Sequence, residues 1–130
     1  MKLLLDTHIL LWAAGQPDKL GPSAYNMLTD QRNTLFFSSA NIWEVVIKRH
    51  LGREDFSVDP YRLRKMLVVN GYNELSITAE HALRVDALPP IHKDPFDRIL
   101  IAQARSEGMV LLTVDADVLQ YGRPAEKVEQ

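Results

Sequence analysis

Apolar positions come in two rhythms along this chain. Short apolar runs stand within residues 2–5, 35–38 and 109–113. A continuous apolar run of this kind predicts a strand buried on both faces. Between the runs the spacing lengthens to that of a helix. Residues 7–14 begin a first helix that stops at Gly15-Gln16-Pro17, and residues 22–32 form a second, with Ala24, Met27 and Leu28 on one face. Residues 39–51 carry Ile42, Val45, Val46 and Leu51 at helical spacing, with Gly52 where a helix cap belongs. Residues 53–58 read as a polar loop. A helix over 60–69 turns Leu63, Met66 and Leu67 inward and closes at Gly71. Residues 74–77 predict a short strand, 78–87 a helix capped by Thr78, and 88–93 a loop around Pro89-Pro90. A helix over 94–107 ends at Gly108, and 115–121 is a last short helix before a polar tail with a short edge strand. Buried strands separated by helices predict a parallel sheet covered on both faces, an α/β domain spanning 1–130. Neither a repeat nor a linker divides it.

In open parallel sheets, function collects at the carboxyl ends of the strands. Four segments place a carboxylate near a strand end or a helix start. Asp6 ends the first strand, Glu44 lies in the helix after the second, Asp94 and Asp97 open the helix over 94–107, and Asp115 follows the strand over 109–113. Asp6, Asp94 and Asp115 also read as helix caps, since Asp is a favoured N-cap and a first-turn acid stabilises a helix by roughly 0.3–1 kcal/mol. Glu44 lies too far into its helix to be a cap. Its ordinary role would be a pair with Lys48 four residues on, worth about 0.2–0.5 kcal/mol. Crowded carboxylates repel unless a cation joins them, and all-oxygen donors suit Mg²⁺ or Mn²⁺. On spacing alone, both readings stay open.

Composition narrows the picture. The chain has 130 residues and no cysteine, which excludes a disulfide scaffold and thiolate metal sites. Hydrophobic residues make up 46%, enough for a core without a structural metal. The four histidines (His8, His50, His81 and His92) lack the spacing of a metal site. Trp12, Trp43, Phe36, Phe37 and Phe96 read as core. The opening apolar run is broken by Asp6 and His8 too early for a signal segment, and no stretch approaches the roughly 18 apolar residues of a membrane span. A cytoplasmic location is the expectation.

The ordered set of acidic blocks resembles a PIN domain. Leu4-Leu5-Asp6-Thr7-His8 is similar to that family's opening. Ser38-Ser39-Ala40-Asn41-Ile42-Trp43-Glu44 is similar to its second block, His92-Lys93-Asp94-Pro95-Phe96-Asp97-Arg98-Ile99-Leu100-Ile101-Ala102 to its third, and Leu111-Leu112-Thr113-Val114-Asp115 to its fourth. Within the family, the similarity is greatest to bacterial VapC-type toxins, the nuclease halves of type II toxin–antitoxin pairs. The resemblance implies a three-layer α/β/α sandwich with a central parallel sheet. It implies an endoribonuclease using Mg²⁺ or Mn²⁺, a homodimer, and an antitoxin laid over the active-site groove. Carried over residue by residue, Asp6, Glu44, Asp97 and Asp115 are the catalytic, metal-binding acids. Thr7 and Thr113 support the site. Asp94 is a cap, a supporting acid or a ligand, and Asp117 competes with Asp115, which is preferred as nearer the strand end. Four acids without matching cations in the motifs, Arg98 apart, motivate a mechanism in which divalent ions activate water and neutralise the scissile phosphate.

Charge then fits this expectation. Seventeen acids and fifteen Lys or Arg give a net charge of −2 and a pI near 6.1, unlike a typical nucleic-acid binder. With the four site acids set aside, 13 acids face 15 bases. Lys48, Arg49, Lys93 and Arg98 are the candidate RNA contacts, and residues 48–65 hold six Lys or Arg against three acids. Such groups bind phosphate without reading sequence. Tyr25, Met27, Leu28 and the helix over 60–69 are candidates for an antitoxin or dimer surface, or for core. The alternatives are a catalytically silent RNA- or antitoxin-binding module and an aspartate-based phosphoryl-transfer protein. The second lacks a lysine after a strand, and a dinucleotide site lacks its glycine-rich turn.

Overall fold

A computed structural model describes residues 1–91 and 93–127. His92, at the head of the third acidic block, and the end of the tail lie outside the described residues. Five strands form one fully parallel sheet in the order β3-β2-β1-β4-β5. They are β1 (Lys2–Leu5), β2 (Thr34–Ser38), β3 (Asn73–Leu75), β4 (Val110–Thr113) and β5 (Ala125–Lys127). The helices are α1 (Thr7–Gly15), α2 (Pro22–Thr29), α3 (Ser39–His50), α4 (Pro60–Val69), α5 (Ala79–Val85), α6 (Pro95–Glu107) and α7 (Ala116–Leu119). Strand β1 lies at the centre, with Leu4 beside Phe36 of β2 on one side and Leu111 of β4 on the other.

Alternation along β1 sorts the core into two layers. Leu3 and Leu5 join Ile9 and Leu10 of α1, Val45 of α3, and Leu63 and Leu67 of α4 on one face. Leu4 joins Leu100, Ile101 and Ala104 of α6 and Val118 of α7 on the other. Each of these fully buried leucines contributes about 1.5–3 kcal/mol relative to exposure. The result is the three-layer sandwich the sequence predicts. Gly108 holds φ +67, the left-handed cap that lets α6 end and turn directly into β4. No helix among the described residues is long and apolar enough to cross a membrane.

Several expectations need correction. Trp43 is not core: it is 57% exposed and meets Phe96 only edge-on, at 5.2 Å between ring centroids. Leu51 and Met66 are also exposed. The polar loop over 53–58 holds a 3-10 turn, Glu54–Phe56, whose Phe56 is fully buried. Helix α2 stops at Thr29, where Asp30 leaves the helix and pairs with Arg32. The third strand starts one residue earlier and ends two earlier than expected, at Asn73–Leu75, and the edge strand in the tail is present as β5.

Candidate active site

The carboxyl edge of the sheet is built by helix starts. Asp6 ends β1 in extended backbone and caps α1, its Oδ1 accepting the Ile9 N–H at 3.0 Å. Its second oxygen has a different partner: the Thr113 hydroxyl at the end of β4 donates to Oδ2 at 2.5 Å. Thr113 Oγ1 in turn accepts the Asp115 N–H at 3.0 Å, and Asp115 caps α7 through the Asp117 N–H. Asp6, Thr113 and Asp115 are thereby joined across two neighbouring strands. Asp6 is 5% exposed. Burial pushes its carboxyl above the ordinary aspartate value, the Thr113 and Ile9 hydrogen bonds oppose that rise, and the Asp115 charge adds to it.

A second set forms between β1 and β2. Ser38, closing β2, caps α3 in a capping box, with Asn41 Oδ1 accepting the Ser38 N–H at 2.7 Å. Asn41 is fully buried, and its amide donates to Leu5 O at 3.3 Å and to Thr7 Oγ1 at 3.0 Å. The Thr7 hydroxyl donates to Glu44 Oε1 at 2.5 Å. Behind them, the Ser38 hydroxyl donates to Gln103 Oε1 at 2.6 Å. This chain of bonds ties the ends of β1 and β2 to α3 and α6 and fixes the Glu44 carboxylate. Glu44 is 4% exposed.

Lys48 completes this set. Its ammonium donates to Glu44 Oε2 and stands 3.8 Å from Asp94 Oδ2. The ordinary pairing of Glu44 with Lys48 is therefore present, and the cation predicted for the outer rim lies among the acids. Asp94 caps α6 through the N–H groups of Phe96 and Asp97, using Oδ1. Asp97 lies half-buried in the first turn of α6. Arg98 serves the fold: its guanidinium donates to the carbonyls of Val85 and Pro89 and to the Tyr121 hydroxyl. Arg49 and Lys93 are exposed, and Asp117 is exposed in the first turn of α7.

The structure thus links Asp6 with Asp115 and Glu44 with Asp94, and it brings both sets to the same edge of the sheet. Asn41, Ser38 and Gln103 belong to this framework, although sequence reasoning did not single them out. The Ser-x-x-Asn spacing at the start of α3 was the signal for Asn41. As a donor set the acids are hard oxygens, the chemistry that suits Mg²⁺ or Mn²⁺. Among the described residues no three His, Asp or Glu side chains stand close enough to form a ready-made cage. Mg²⁺ ordinarily uses one or two carboxylates and keeps waters, so the residues present fit it in kind.

A parallel α/β sandwich with threonine-braced carboxylates along its carboxyl edge defines a class of acid-edged folds. A family model narrows that class: the PIN domain model matches residues 3–124, and the chain belongs to that family. No curated relative matches significantly. Among solved structures, VapBC2 from Rickettsia felis, bound to a DNA fragment from its promoter, is 16% identical with a TM-score of 0.70. That likeness covers 99% of this chain and 100% of the other. VapBC-1 from nontypeable Haemophilus influenzae is 18% identical with a TM-score of 0.60, covering 99% and 98%. Mycobacterium tuberculosis VapC20, described as a sarcin-ricin loop cleaving toxin, is 14% identical with a TM-score of 0.64, covering 92% and 95%. At these identities the likeness is one of fold.

Proposed function

We propose that this protein is a divalent-metal-dependent endoribonuclease, the toxin of a type II toxin–antitoxin pair. The observation that carries the reading is the PIN family match together with Asp6 and Glu44. Each is buried at the same sheet edge, and each is held by a threonine hydroxyl. In this reading Asp6, Glu44, Asp97 and Asp115 hold the metal. Bound there, Mg²⁺ or Mn²⁺ would supply water activation and charge neutralisation at a phosphodiester. Thr113 keeps Asp6 turned to the edge, and Thr7 with Asn41 does the same for Glu44. The N-termini of α1 and α6 add partial positive charge facing an anionic substrate. Arg49 and Lys93, both exposed, offer phosphate contacts.

A cytoplasmic location and two protein partners follow from the same reading, a cognate antitoxin and a second copy of the chain. Two of the similar structures are titled as VapBC assemblies. Tyr61, Val69 and Leu83 are each more than 70% exposed. The deciding experiment is RNA cleavage with Mg²⁺ or Mn²⁺, with and without EDTA, comparing wild type with Asp6→Asn. Cleavage that survives both changes overturns the metal mechanism. A metal-free RNA- or antitoxin-binding module is the second reading. In its favour stands the lack of a three-carboxylate cage among the described residues. It is supported if no RNA is cut in any metal and the variant binds RNA as the wild type does.

A further inference from the structure

Lys48 is placed unlike an ordinary helix-surface lysine. Its side chain is 18% exposed and lies beside a Glu44 side chain that is 5% exposed. Its ammonium sits 4.9 Å from the centre of the buried Phe56 ring, which comes from the 3-10 turn after α3. It also reaches a second helix, since Asp94 Oδ2 of α6 is 3.8 Å away. One cation therefore lies between two carboxylates from different elements, over an aromatic floor. Both oxygens of Glu44 are engaged, Oε1 by the Thr7 hydroxyl and Oε2 by Lys48. A hydroxyl can remain beside a carboxylate that binds a cation. An ammonium cannot share the same oxygen without charge repulsion.

We propose that Lys48 is the built-in counterion of the acidic edge, a positioning residue that pairs with Glu44 and Asp94 in the metal-free protein and that an incoming divalent cation must displace from Glu44. The inference rests on the nuclease reading above and adds to it a cation that lowers metal affinity while holding the apo site together. Two like charges facing each other at low exposure are costly, so the apo protein gains from the lysine. The same lysine opposes a second cation, so the occupied site loses by it. Phe56 holds the ammonium close by in either state, ready to return when the metal leaves.

The test uses the full chain and Mn²⁺ alone, titrated calorimetrically and by thermal melting. Lys48→Met keeps the stem that packs on Phe56 and removes the charge. It is expected to bind Mn²⁺ about tenfold more tightly than wild type, a change of ~1.4 kcal/mol at 25 °C. It should also melt lower without metal and show a larger rise in melting temperature at saturating Mn²⁺. Lys48→Arg keeps the charge and is expected to stay within about threefold of wild type, a difference of ~0.65 kcal/mol. Unchanged or weaker Mn²⁺ binding in Lys48→Met overturns the proposal while leaving the nuclease reading intact, provided wild type binds Mn²⁺ and Asp6→Asn does not. If wild type itself binds no Mn²⁺, the metal reading falls and the proposal falls with it.

Discussion

The hydroxyl of Thr113 donates to Oδ2 of Asp6 at 2.5 Å, joining the ends of strands β1 and β4 through one buried carboxylate. Its other role, accepting the Asp115 N–H, makes it the hinge pin between two of the edge acids. Thr113→Val preserves shape and removes both interactions. A hydrogen bond to a charged group contributes about 1.5–3 kcal/mol, so the midpoint of urea unfolding should fall by that equivalent with an unchanged slope. An unmoved midpoint would show that the bond adds nothing to the folded state.

Asp6 carries a pH signature. Burial raises its folded value above the ordinary aspartate value. For a group raised in the folded state, its favourable contribution is complete below the unfolded value and is lost as pH rises through the folded one. Above the unfolded value, Asp6 thus costs the metal-free protein stability. Asp6→Asn, which can still cap α1, should melt higher than wild type at about pH 7, and the difference should shrink on acidification toward the unfolded value. Melting curves in EDTA across that range check the sign.

Asn41 is fully buried and engages Leu5 O, Thr7 Oγ1 and the Ser38 N–H. Asn41→Ala orphans buried groups on two strands, each costing about 1–3 kcal/mol. Because Thr7 then loses the donor that orients its hydroxyl toward Glu44, any RNA cleavage should drop more than global unfolding explains. Assays at a temperature where the variant remains folded by circular dichroism separate the two effects.

Two aromatics of contrasting burial should behave differently. Phe56→Ala empties a fully buried position and should cost about 3–5 kcal/mol. Trp43→Ala removes a mostly exposed ring whose edge contact with Phe96 is worth about 0.5–1.5 kcal/mol. Chemical denaturation of both variants gives the ratio directly.

The strands of the sheet's centre were legible because their apolar runs have no polar interruption, and Asp6, Glu44 and Asp115 because each follows such a run. What misled was α3. Asn41, Glu44 and Lys48 stand at i, i+3 and i+7, the spacing of a buried stripe, yet all three are polar and turned toward the edge. Trp43, read as core for its apolar bulk, takes the outer face instead. A helix that buries polar groups against a site inverts the rule by which its inner face is recognised. Lys48 reads in the sequence both as a phosphate contact and as the partner of Glu44, and the pairing with Glu44 is present. Phe56 escaped notice because one aromatic in a polar stretch has no periodicity to reveal it.

The sheet order has a consequence in time as well as in space. Strand β1 is made first yet sits between β2 and β4, and Asp6 meets Thr113 across 107 positions of chain. At roughly 5–20 residues per second, synthesis of that interval takes on the order of 5–20 s. Throughout it, the first acid exists without its brace. A contact so distant in sequence also forms slowly once both halves are present. The acidic edge therefore assembles only after nearly the whole fold has emerged from the ribosome.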